Sequence, residues 1–219
     1  MTAPRRSDAR RNRAAIMKVV GSSVVHGLRV PSAPRIAHLT GLGQATVYRH
    51  FPDRRSLLLA VTEERLDVLR RAAKRGAGDP GAFHALLRAV MVEQVTMRPT
   101  VEELRRLPAA DRRDWLRRLL DALRGPFALA RAAGHLRCHV ELDDVAVVLT
   151  MLQAAVESAP TPDAARRAIP VLLDGLFNRR GQEGSGETSP AAIGNASRAA
   201  STSPASSPSG RASGAVCQA

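Results

Sequence analysis

TGLGQATVYRHFPDR, residues 40–54, decides how this chain is read. It opens on a turn built around Gly41 and Gly43 and closes on Phe51-Pro52. A residue that precedes proline is pushed out of α geometry, so the short helix between them ends near His50. Val47 and Phe51 stand four apart, on one side of that helix, and Leu42 joins them. Gln44, Ala45, Tyr48 and Arg49 fall on the opposite side. The chain's single tyrosine therefore sits on a polar, basic helix surface. A second short helix precedes it. Ser32 is placed to cap its start, Pro34 is tolerated in its first turn, and Ile36, Ala37 and Leu39 give it an apolar side. Two short helices joined by a glycine turn have the dimensions of a helix-turn-helix, whose second helix enters the DNA major groove. Gln suits adenine and Arg suits guanine there, while a short Ala allows close approach. The Tyr48 hydroxyl, His50 and Arg54 are placed to reach phosphates. Arg54 lies at the start of the next helix, where the dipole favours an anion.

The charge distribution agrees. The 219 residues carry a net charge of +13. Residues 1–75 hold sixteen basic residues against five acids, a surplus of eleven, and the remaining two thirds are nearly balanced. A segregated positive field attracts a polyanion, chiefly nucleic acid. Aromatic residues are only 3% of the chain, so its core must be built from Leu, Val and Ala, a composition that favours helix. An all-α protein is expected. Cys138 and Cys217 are unsuited to a structural disulfide, and with no signal-peptide stretch or membrane-length apolar run a cytoplasmic protein is expected.

Along the chain, residues 1–9 read as a disordered basic arm, and residues 10–55 as the DNA-binding head. Its first helix carries Ile16, Val19, Val20 and Val24 and stops at Gly27. Asp53 caps a long fourth helix that runs to about Lys74. Residues 56–180 read as a helical body, with helices near 82–97, 100–107, 110–133, 143–158 and from 162 onward. Gly125-Pro126 should kink or split one of these, and Pro170 should kink the last. The final 39 residues, 181–219, are rich in Ser, Ala, Gly and Pro without apolar period, and read as a disordered tail.

The stretch IAHLTGLGQATVYRHFPDRRSLLLAV, residues 36–61, resembles the TetR family of bacterial transcriptional regulators. It shares that family's IA pair, glycine-centred turn, T-[VL]-Y-x-H-F run and a fourth helix opened by a basic residue. Two positions depart from the pattern: Ser23 stands where an aromatic is usual, and Gly43 replaces a common Ser, removing one hydroxyl. Residues 126–178, with AAGHLR at 132–137 and LLDGLF at 172–177, are similar to the family's usual ending. The resemblance implies that Ser32, Gln44, Ala45, Thr46, Tyr48, Arg49, His50 and Arg54 form the DNA surface. It further implies a homodimer joined through the last two long helices, a double-stranded DNA operator as partner, and a small-molecule effector that relieves repression. The wide apolar arcs of the 143–158 and 162–178 helices agree with a second buried face.

Plainer readings stand beside these. Arg49 reads a base or holds a phosphate. His135, Cys138 and His139 form an HxxCH that lacks further ligands and reads as a solvated loop rather than a metal site. Phe83, Met91, Trp115 and Phe127 read as core or as pocket lining. Arg112-Arg113 and Arg117-Arg118 read as a solvated face. No catalytic constellation, phosphate-binding loop or cofactor motif is present, so an enzyme is not expected. A constitutive or architectural DNA-binding protein without a ligand switch is the alternative.

Overall fold

The computed structural model describes residues 3–178, and all the regular elements among them are helices. They are α1 (Ala3–Val25), α2 (Ala33–Thr40), α3 (Gln44–His50), α4 (Arg54–Arg75), α5 (Ala82–Thr96), α6 (Arg98–Arg105), α7 (Ala109–Ala132), α8 (Asp144–Ser158), α9 (Pro162–Arg166) and α10 (Ala168–Leu176). The all-α expectation holds. The expected disordered arm does not hold from Ala3 onward, because those residues belong to α1. Residues 1–2 and the tail expected at 181–219 lie outside the described residues.

Local chemistry sets the boundaries. Gly27 takes a left-handed φ of +71°, and Leu28 N–H donates back to the Ser23 carbonyl at 2.9 Å, closing α1. A Cβ on Gly27 would lie 2.8 Å from the Thr96 carbonyl oxygen, so glycine is required there twice over. Ser32 Oγ accepts from Arg35 N–H at 3.4 Å at the start of α2. Asp53 and Ser56 form a reciprocal capping box on α4.

Prolines act differently in the two places flagged by sequence. Helix α7 is continuous through Pro126 rather than split. The last helix is divided at Arg167 into α9 and α10. A proline ring collides with the carbonyl four residues earlier, which for Pro170 is that of Arg166, the final residue of α9. The chain then closes on an antiparallel bridge between Leu136 and Phe177, an element without a periodic signal in the sequence.

Two apolar clusters organise the fold. The larger lies in the body and includes Phe83, Leu87, Met91, Leu123, Leu152 and Phe177. The smaller holds the head: Ile16, Val20 and Val24 of α1, Ile36 of α2, Val47 and Phe51 around α3, and Leu57, Leu58 and Val61 of α4. It does not end at residue 55. Met97 is buried in it, and Val101, Leu104 and Leu107 of the α6 region pack against it. Thr100, fully buried, donates its hydroxyl to the Leu28 carbonyl at 3.5 Å. The body therefore completes the core of the head.

Candidate nucleic-acid interface

Helix α3 is seven residues long and has no side-chain cap, since Gly43 stands at its N-cap. An isolated helix of this length would not persist in water. Burial holds it: Val47 is 1% exposed and Phe51 3%. The Arg13 guanidinium lies 4.6 Å over the Phe51 ring and adds a cation–π contact from α1. With Val47 and Phe51 fixed inward, helical spacing fixes what points out. Gln44, Ala45, Tyr48 and Arg49 are exposed, and Thr46 and His50 are partly so. Tyr48 is 49% exposed, a high value for an aromatic ring. The polar side chains of Gln44, Thr46, Tyr48, Arg49 and His50 make no hydrogen bond or ion pair with other described residues. Ser32 is exposed one helix away, at the start of α2.

Arg54 behaves differently from the expectation of a phosphate contact. Its Nε donates to Glu103 Oε2 at 2.9 Å, Nη1 to the Pro31 carbonyl at 2.8 Å, and Nη2 to the Val30 carbonyl at 2.6 Å and also to Glu103. Four of the five guanidinium donors are thus used inside the protein. Arg55 is held in the same way, with Nε and Nη2 on the two carboxylate oxygens of Asp111 at 2.6 and 2.8 Å. That contact holds the Asp111 carboxyl below, and the Arg55 guanidinium above, their ordinary pKa values. Two arginines in the first turn of α4 oppose the helix dipole, and Glu103 and Asp111 offset that cost. Asp53, between them and α3, is also held below the usual carboxylate range, chiefly by the Ser56 N–H.

Arg35 was not singled out by sequence reasoning. It is exposed in the first turn of α2, three residues after Ser32, with no ion pair among the described residues. The available signal was electrostatic: a cation at the positive end of a helix is unfavourable unless an external anion meets it.

In the body, a cavity of about 50 Å³ lies between α4, α5 and α7, lined by Leu66, Leu69, Val90, Trp115, Leu119 and the Arg65–Glu93 pair. Burial pushes the Glu93 carboxyl up, against the pull of Arg65 at 3.6 Å. Trp115 lines this cavity, whereas Phe83, Met91 and Phe127 are core. A wider trough of about 340 Å³ between α1 and α4, beside Arg13 and Glu63, is open to solvent. At the HxxCH, Cys138 and His139 are exposed and His135 is half-buried, and the described residues gather no group of metal ligands. None of the helices among the described residues is long and apolar enough to cross a membrane.

Solved structures share this arrangement. A TetR transcription regulatory protein from Mycobacterium vanbaalenii is 27% identical, with a TM-score of 0.57 over 80% of this chain and 100% of its own. A TetR transcriptional regulator from Streptomyces coelicolor is 23% identical, with a TM-score of 0.55 over 76% of this chain and 99% of its own. A TetR-family regulator from Agrobacterium tumefaciens reaches a TM-score of 0.56 at 14% identity, over 78% of this chain and 100% of its own. No family model matches the chain, and no curated protein does.

Proposed function

This chain has the fold of the TetR family of transcriptional regulators, and we propose that it binds an operator in double-stranded DNA as a homodimer, repressing transcription until a small molecule releases it. One observation carries the DNA-binding reading. The outer side of α3 presents Gln44, Thr46, Tyr48, Arg49 and His50 with their polar groups uncommitted among the described residues, while the neighbouring Arg54 and Arg55 are paired with Glu103 and Asp111. Gln44 and Arg49 are the base readers in this reading. Tyr48, His50, Thr46 and Ser32 hold phosphates, and Ala45 leaves room for the groove wall.

Dimerisation is supported by exposed apolar residues on the last helices. Val147 and Met151 of α8 are 56% and 53% exposed, and Val171 of α10 is 69% exposed. Water-facing residues of this kind on adjoining helices suit a self-complementary contact. A two-fold dimer presents two α3 helices to an inverted repeat.

The effector reading rests on Trp115 and the half-buried Arg65–Glu93 pair beside the small cavity. Its volume is well under the roughly 300 Å³ of an ordinary small-molecule site. A ligand must therefore part α4, α5 and α7. Because α4 and α7 hold one another at Arg55–Asp111, next to the head, parting them disturbs the α3 platform. The ligand acts by preferring this opened state.

Selection of duplexes from a random library, with wild type and Tyr48→Ala in parallel, tests the reading. An inverted repeat recovered by wild type and lost in the variant supports it. Recovery of DNA without a shared sequence supports an architectural binder instead. Compounds that change Trp115 emission should also lower operator affinity; if none does both, the switch is wrong.

A further inference from the structure

Helix α7 runs parallel to α4, with its beginning level with the beginning of α4. Two ion pairs fix this register: Arg55 of α4 pairs with Asp111 of α7, and eight residues on, Glu63 pairs with Arg118. The start of α4 lies three residues from the end of α3. The elbow between α6 and α7 is thereby brought to the end of the molecule that carries the exposed α3 side chains. Leu104 and Leu107 fasten it there by packing on the head cluster.

The elbow is strongly basic, and its acids are already taken. Asp111 serves Arg55, Asp114 serves Arg117 and Arg118, and Glu103 serves Arg54. Arg105 has Glu157. Arg106, Arg112 and Arg113 are exposed and have no carboxylate partner among the described residues; Arg112 bonds only the Arg105 carbonyl. Side chains in a helix lean toward its N-terminus, so Arg112 and Arg113, in the opening turns of α7, lean toward the α3 end. The start of α7 adds the positive end of a 24-residue helix without a side-chain cap. In a body that is otherwise nearly charge-balanced, three unneutralised arginines at this one corner are unexplained by folding.

We propose that the α6–α7 elbow is a second DNA-backbone contact, in which Arg106, Arg112 and Arg113 hold phosphates flanking the segment read by α3. It rests on the DNA-binding reading above. Guanidinium groups suit this task, and phosphate contacts add affinity without sequence preference.

The test is the salt dependence of duplex binding by the full chain, wild type against R106Q/R112Q/R113Q. Each lost phosphate contact lowers the slope of log affinity against log salt by roughly 0.9. The expected result is a slope shallower by about two or more, at least tenfold weaker binding near physiological salt, and an unchanged selected sequence. R106K/R112K/R113K should restore most of the slope, which separates lost charge from misfolding. Trimming the duplex flanks should bring wild type to the slope of the glutamine variant. Equal slopes for wild type and the glutamine variant overturn the elbow contact while leaving the operator reading intact. A wild-type chain with no affinity for any duplex overturns both.

Discussion

Arg54 at the start of α4 and Glu103 near the end of α6 are joined by a two-pronged contact, with Arg54 Nε 2.9 Å from Glu103 Oε2 and Nη2 on the same oxygen. Two further Nη donors hold the Val30 and Pro31 carbonyls. One side chain thus ties together the α1–α2 connection, the end of the recognition unit and the body. Arg54→Ala should lower stability by about 1–2 kcal/mol, discounted for partial exposure, because it strands a largely buried carboxylate and two carbonyls. Arg54→Lys should recover little, since an ammonium lacks the fork. Urea unfolding with an unchanged slope and a lower midpoint would bear this out. Wild-type stability together with weakened DNA binding would instead restore Arg54 to the phosphate surface.

The two sides of α3 should separate cleanly. Tyr48→Ala removes an exposed ring and should leave stability within about 0.5 kcal/mol, yet reduce operator affinity at least tenfold. Phe51→Ala empties a site that is 3% exposed and should cost about 3–5 kcal/mol. Thermal melts and duplex titrations on the same preparations check both.

Acid should weaken the fold through His84. Its Nδ1 is buried without a partner, its ring packs edge-on against Phe177 at 4.8 Å, and burial, aided by Arg88, holds its pKa below the ordinary value near 6.5. The unfolded chain therefore binds this proton more readily than the folded one. Stability is unaffected by His84 above about pH 6.5, and falls as pH drops from there toward the lowered folded value. Melting temperatures between pH 7.5 and 5 should decline less steeply in His84→Gln. Equal declines would remove His84 from the account.

Charge placed on the outer side of the last helices should abolish pairing. Met151→Lys with Val171→Lys alters two exposed positions, so the monomer should stay folded. Sedimentation should show a dimer in wild type and a monomer in the variant. Operator affinity should fall with it, because one head forfeits the second half-site.

Much of the fold was legible because it follows from local chemistry. The Ser32 cap, the Gly27 and Gly41 turns, the Asp53 cap and the inward Val47–Phe51 pair each act within a few residues. Of the candidate site, the outward direction of Tyr48 and Arg49 was legible, because helical spacing alone sets it. The internal bonds of Arg54 were not legible, because its partners lie 23, 24 and 49 residues away, beyond any periodic signal. Pro126 and Pro170 look alike in sequence, yet one is absorbed by a 24-residue helix and the other divides a shorter one. The extent of α1 before residue 10 escaped because Arg and Ser there lack apolar period.

The sharing of the head core with Met97, Val101, Leu104 and Leu107 bears on protein engineering. A graft that exchanges only the first 55 residues with those of a relative would leave these four side chains facing a foreign surface. A chimeric regulator with a new operator preference should therefore carry the α6 segment along with the first three helices, or confine its changes to the outward positions of α3.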